Sequence, residues 1–193
     1  GYSGVAIFSK LKPTSVKTGC GIEQSDFEGR VIEATFGDIK IINAYFPSGT
    51  SGDHRQAYKY QWLEEFENYL NTFRKKNSKM ILCGDYNIAH EAIDIHDPKG
   101  NKNTTGFLPK EREWMTNFLG SGWVDSFRHL NQEPHNYTWW SQRFPSVRLN
   151  NKGWRIDYIC ITTALLPQLV SAEIFPEVKH SDHCPVFIEI KND

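Results

Sequence analysis

Two adjacent side chains near the end of the sequence could act together on a substrate. Asp182 and His183, within Ser181-Asp182-His183-Cys184-Pro185, stand just before the apolar run Val186-Phe187-Ile188-Glu189-Ile190. A carboxylate and an imidazole at the edge of a buried strand form a metal-ligating or acid/base pair, because the strand fixes the backbone while both polar heads stay outside the sheet. The same dipeptide in a loop can be a turn cap beside a solvated His, so other segments must agree.

Three do. Met80-Ile81-Leu82-Cys83 runs into Gly84-Asp85-Tyr86-Asn87, and side chains two apart on an extended backbone point the same way, so Asp85 and Asn87 would face one site. The alternative is an Asx-turn that merely ends the strand. In Trp154-Arg155-Ile156-Asp157-Tyr158-Ile159-Cys160-Ile161, Asp157 interrupts an apolar strand, where a carboxylate is costly unless paired, and a histidine is a natural partner. Tyr45 stands where Pro47 stops another strand, a position at which a lone Tyr is more often packing. Together these ends offer oxygen ligands, an imidazole with an orienting carboxylate, a phenol and an amide, without an evident Ser or Cys nucleophile. That inventory suits metal-assisted attack of water on a phosphoester. Zinc is disfavoured because His183 lacks clustered His or Cys partners.

The elements that must position these residues can be read from periodicity. Strands are expected at Val5 to Phe8, Val31 to Phe36, Ile39 to Phe46, Met80 to Cys83, Ile156 to Ile161 and Val186 to Ile190, with Gly37-Asp38 making a hairpin of the second and third. Tyr58, Trp62, Phe66, Tyr69 and Phe73 recur at helical steps, which predicts a helix from about Asp53 to Lys75. Pro109 opens a second carrying Trp114, Met115, Phe118 and Leu119, and a third is expected around Ala164 to Val170. Arg74-Lys75-Lys76 would complement the first helix's dipole. Strands interleaved with helices, together with an antiparallel hairpin, predict an α/β sandwich of mixed sheets.

The 193 residues, 39% hydrophobic, suffice for one core and a single domain. With 22 Lys+Arg against 23 Asp+Glu, no broad positive field exists, so a polyanion must be met by a local patch. One is available. Thr138 to Ile156 holds Arg143, Arg148, Lys152 and Arg155 without a carboxylate, interleaved with Trp139, Trp140, Phe144 and Trp154, a pattern that could neutralise phosphates and receive an unstacked base or sugar. The alternative is core tryptophans and a solvated charged loop. Four cysteines without C-x-x-C spacing read as buried thiols of a reducing compartment. Neither a membrane span nor a signal peptide is visible, which predicts a cytoplasmic protein, nucleoid-associated or nuclear according to its source.

With these residues in view, the sequence resembles the exonuclease III family of abasic-site endonucleases, within the endonuclease/exonuclease/phosphatase superfamily. Gly84-Asp85-x-Asn87 and Ser181-Asp182-His183 are superfamily elements. Closer marks are Gly1-Tyr2-Ser3-Gly4-Val5-Ala6, Glu28-Gly29-Arg30-Val31-Ile32, Asp97-Pro98-Lys99-Gly100-Asn101-Lys102, Phe107-x-Pro109-x-Glu111-Arg112, Asp125-Ser126-Phe127-Arg128-His129 and Gly153-Trp154-Arg155-Ile156-Asp157.

The resemblance implies a four-layer sandwich of two mixed β-sheets flanked by helices. It gives Asp85 the role of orienting and deprotonating water, Asn87 that of holding it, and His183, paired with Asp157, a contact to the phosphate. Tyr45 would reach the phosphate or leaving group, and Asp182 would lie in or beside a metal site that also involves Asp85, Asn87 and His183. Trp139, Trp154 and Ile156 would line a pocket for a flipped abasic sugar, Asn101 and Thr104 would touch the DNA backbone, and Arg155 would join the DNA-binding set. Mg²⁺ is the implied ion, with Mn²⁺ as an alternative, and double-stranded DNA containing abasic sites the implied partner of a monomer. Ser48 stands where relatives often carry Asn or Gln. The family's first strands, with an Asn and a metal-ligating Glu, precede the motif at Gly1, so the span is expected to lack N-terminal strands. Two rival readings remain: a phosphatase of the same fold acting on small phosphoesters, and a truncated, inactive DNA-binding module.

Overall fold

The computed structural model describes residues 3–73 and 78–191. Its main sheet has six strands in the order β1-β2-β3-β4-β6-β5: β1 Ser15–Thr18, β2 Val31–Phe36, β3 Ile39–Ala44, β4 Lys79–Asp85, β5 Trp123–Asp125 and β6 Asp157–Thr162. β3 and β4 run parallel and every other neighbouring pair antiparallel, so the sheet is mixed. β7 Leu169–Ile174 and β8 Val186–Ile190 form a separate antiparallel ribbon, and among the described residues the α-helices are α1 Glu23–Glu28, α2 Asp53–Phe73, α3 Pro109–Gly120, α4 Ser126–Leu130 and α5 Ser146–Leu149, which complete the α/β fold. Among the described residues no helix is long and apolar enough to cross a membrane.

The expected hairpin forms, with Gly37 at φ 61° supplying the turn. The aromatic stripe of α2 lies against the sheet: Trp62 and Phe66 are fully buried, and Phe46 packs on Trp62 while stacking on Tyr86 with ring centroids 4.2 Å apart. Each such ring removes enough apolar surface from water to contribute about 2–3 kcal/mol. These contacts pin Phe46 and Tyr86, which directly follow Tyr45 and Asp85.

Several expectations fail for identifiable reasons. Val5 to Phe8 is not a strand. The segment is extended, Ala6 O accepts from Asn43 Nδ2, and Phe8 is 95% exposed. The helix expected at Ala164 to Val170 is a 3₁₀ turn over Thr163–Gln168, and Val170 belongs to β7. Pro167 offers no amide proton to continue a helix. α2 is described only to Phe73, and Gly1, Tyr2 and Arg74-Lys75-Lys76 lie outside the described residues.

Arg155 requires a correction of function as well as place. It is 1% exposed, its Nε 2.7 Å from Asp94 Oδ1 and its Nη2 2.7 Å from Asp125 Oδ2. The guanidinium is therefore a buried structural cation and not a DNA contact. Removing one member of such a network leaves uncompensated charge, so Arg155→Ala should lower unfolding free energy by about 3–5 kcal/mol, read from urea denaturation.

Candidate active site

The register of β4 on β6 sets Asp85 directly opposite Asp157, which brings two carboxylates together at one end of the sheet. Gly84 makes this possible. Its φ is 139°, and a Cβ there would stand 2.0 Å from Ala44 O, so only glycine lets β4 pass this close to β3. Beyond the strand, Asp85 Oδ1 accepts from Asn87 N at 2.8 Å, while Asn87 Nδ2 donates to Asp85 Oδ2 at 3.1 Å and to Phe46 O at 3.0 Å. The Asx-turn is thus real, yet it also aims both side chains into the cavity.

His183 arrives from the segment before β8, held by bridge pairing with Trp139, and its Nδ1 lies 2.9 Å from Asp157 Oδ2. Thr138 Oγ1 accepts from the amides of both Ile156 and Asp157, fixing the start of β6. Trp139 Nε1 donates to Asp182 Oδ2 at 3.0 Å.

A cavity of about 440 Å³ gathers Tyr45, Asp85, Asn87, Thr104, Trp139, Trp154, Ile156, Asp182 and His183. Asp157 stands behind His183. Asn101 does not line the cavity, because its Nδ2 is spent on His96 O and Asp97 O, where it shapes the loop leading to Thr104. The basic-aromatic segment also splits. Trp139 and Trp154 meet edge to face in the cavity, centroids 6.1 Å apart, whereas Trp140 is buried with Arg148 over its ring. Arg148 donates to the carbonyls of Ser181, Pro176 and Val178 and so braces the loop that carries Asp182 and His183.

Sequence reasoning missed Arg30 and Arg55, which also line the cavity. Arg30 Nη1 donates to Tyr45 O, its guanidinium lies 5.0 Å from the Tyr45 ring centroid, and Glu28 pairs with both arginines. The only signal was Arg30's place in the Glu28-Gly29-Arg30 motif. Burial alone would raise Glu28, but hydrogen bonds from Arg55, Gln24 and Arg30, with the charge of Arg30, hold its carboxyl at about 2.

The electrostatics mark Asp85 and His183. Burial, followed by the charge of Asp157, pushes the Asp85 carboxyl up to about 7 against the opposing pull of His183, the Asn87 amide and Lys59. Burial disfavours the charged form of His183, but the hydrogen bond and charge of Asp157 outweigh it and raise its pKa. A carboxyl near neutrality can take a proton from water, and a protonated imidazole can meet a phosphate.

Among the described residues no three Asp, Glu, His or Cys side chains converge as a metal cage. A hard divalent ion of the Mg²⁺ type does not need one, since it commonly takes one or two carboxylates and completes its shell with substrate phosphate and water. Asp85 fits that partial role: its raised pKa comes from burial beside a second carboxylate, a place where a cation would favour the charged form.

This fold, with these groups at its strand ends, defines a phosphoester hydrolase of α/β architecture. The Endonuclease/Exonuclease/phosphatase family model matches residues 1–183. The exodeoxyribonuclease of Bacillus subtilis (strain 168) is 44% identical over 187 residues, covering 96% of this chain and 73% of that protein. The DNA repair nuclease APEX1 of Danio rerio is 42% identical, covering 96% and 60%. An AP endonuclease structure from Archaeoglobus fulgidus superimposes with TM-score 0.85 at 31% identity, covering 94% of this chain and 72% of that one. The structure of the 3′ phosphatase NExo from Neisseria bound to product DNA hairpin gives 0.87 at 29%, covering 95% and 73%. The chain belongs to the Endonuclease/Exonuclease/phosphatase family, as one of its exonuclease III-type AP endonucleases, a group of divalent-metal-dependent DNA repair nucleases.

Proposed function

We propose that this site hydrolyses the phosphodiester 5′ to an abasic site in double-stranded DNA, leaving a 3′-hydroxyl, with Mg²⁺ as its ion and Mn²⁺ as a substitute. Accompanying 3′→5′ exonuclease or 3′-phosphodiesterase action would use the same groups. The observation that carries the reading is that Trp139, Trp154 and Ile156 line one cavity together with Asp85, Asn87 and His183. An apolar recess beside phosphate-directed groups suits a sugar stripped of its base, which can leave the duplex at little unstacking cost.

In this reading Asp85 accepts the proton of the attacking water and the Asn87 amide steadies that water and the charge that develops. His183, held through Nδ1 by Asp157, presents its other nitrogen to the phosphate, and the Tyr45 hydroxyl reaches a phosphate or leaving-group oxygen. Each preorganised donor aimed at developing charge contributes about 3 kcal/mol to lowering the barrier. Asp85, with Asn87 beside it and Asp182 lining the same cavity, would hold the divalent ion, which when bound neutralises phosphate charge and acidifies water.

The test compares kcat/KM on an abasic duplex with that on an undamaged one, with Mg²⁺. The native chain should prefer the abasic duplex, and Trp154→Ala should reduce that preference by roughly 10-fold, in line with the loss of one stacking or packing contact. Equal rates on both duplexes, or a preference untouched by Trp154→Ala, would refute abasic specificity.

A further inference from the structure

We infer that the buried Lys59–Glu111 ion pair is a positioning device for the reaction, with Lys59 setting the Asn87 amide and Glu111 setting the loop that backs Trp154. Lys59 projects from the second turn of α2 and is fully enclosed, as is Glu111. Its Nζ lies 2.5 Å from Glu111 Oε1 and donates to the backbone carbonyl of Asn87 at 2.8 Å. Asn87 has φ 52°, a left-handed conformation in which its carbonyl turns inward to Lys59 while its amide side chain turns to Asp85 and Phe46. A cation on that carbonyl thus holds the residue in a conformation that most side chains avoid.

The carboxylate performs the matching task on the adjoining loop, where a Cβ on Gly106 would stand 3.2 Å from Asn87 O. Glu111 Oε2 accepts from Gly106 N at 2.7 Å and Leu108 N at 2.9 Å, and Gln56 joins Glu111 Oε1 to Thr105 Oγ1. Gly106 presses on the Trp154 ring, where an added Cβ would stand 3.0 Å from Cζ3, and its carbonyl accepts from Ala89 N. A single desolvated pair therefore ties the group that acts on the phosphate to the wall that receives the sugar. Buried pairs rarely add net stability over an apolar replacement, so a role in alignment is the economical account of this one. The inference rests on the role given above to the Asn87 side chain.

The test uses the full chain carrying Lys59→Met with Glu111→Gln, a neutral combination that leaves no lone buried charge and keeps a carbonyl oxygen for the Gly106 and Leu108 amides. On duplex DNA, per folded molecule, kcat should fall about 10- to 100-fold while KM changes less than about threefold. A second readout does not depend on activity. Asn87-Ile88 is the only Asn-Ile step in the sequence, so ¹³C′-Asn/¹⁵N-Ile labelling yields one carbonyl resonance for Asn87, which should move in the double variant. An unmoved resonance, or a folded variant with native kcat, would overturn the inference. If the native chain fails to cleave abasic DNA, the proposed substrate falls while the carbonyl readout still decides the positioning role.

Discussion

Asp85→Asn should lower kcat for DNA cleavage by about 10³-fold while leaving DNA affinity nearly unchanged. The loss expected when a positioned base is removed is 10²–10⁴-fold, and here the same substitution also removes an oxygen proposed to hold the divalent ion. Single-turnover kinetics with Mg²⁺, beside a binding isotherm, separate the two effects. The substitution should not harm the fold. Burial and Asp157 raise this carboxyl from 3.8 to about 7, so the folded state holds its proton more tightly than the unfolded one. Its contribution therefore favours folding below about pH 4 and fades as pH rises through 7. Asp85→Asn should flatten that portion of the stability–pH curve in metal-free protein, measured by urea denaturation from pH 4 to 8. A lower stability of the variant at pH 8 would contradict the raised pKa of Asp85.

Asp157→Asn should cost about 10²–10³-fold in kcat, although Asp157 stands behind His183, the residue proposed to meet the phosphate. Its carboxylate, 2.9 Å from His183 Nδ1, fixes the imidazole's orientation and outweighs the effect of burial to raise its pKa. An amide can present N–H to Nδ1 and select the wrong tautomer, the loss known from Asp-His pairs in hydrolases. If protonated His183 is the active form, the native rate should decline as pH rises past its raised pKa, above 6.5, and Asp157→Asn should shift that decline to lower pH. A pH–rate profile of both proteins checks the shift. An unchanged alkaline limb would assign it to another group.

Much of this site was legible because strand ends are. Asp85, Asn87, Asp157 and His183 each interrupt or flank an apolar run, and a polar residue at such a position needs a local reason. The fate of Arg155 was not legible. Its carboxylates, Asp94 and Asp125, come from a 3₁₀ turn and a three-residue strand far away in sequence, so nothing nearby signals that the guanidinium faces inward while Trp154 and Ile156 face the cavity. Arg30 and Lys59 escaped for the same reason, since each acts on a backbone carbonyl and such contacts leave no mark in residue type. Val5 to Phe8 has the composition of a strand, but composition specifies no partner. β1 has one in β2, and its short, exposed Ser-Val-Lys-Thr carries no apolar pattern.

The pairing of Asp85 with Asp157, and of Trp139 with His183, has a consequence for the ribosome. The imidazole is encoded 98 residues after Asp85. At 5–20 residues per second, translation takes roughly 5–20 s to cross that interval. Throughout it, the nascent chain contains Asp85 but not the imidazole proposed to engage a phosphate. In the proposed reading, a chain halted before His183 would carry the water-directed carboxylate without its phosphate-directed imidazole.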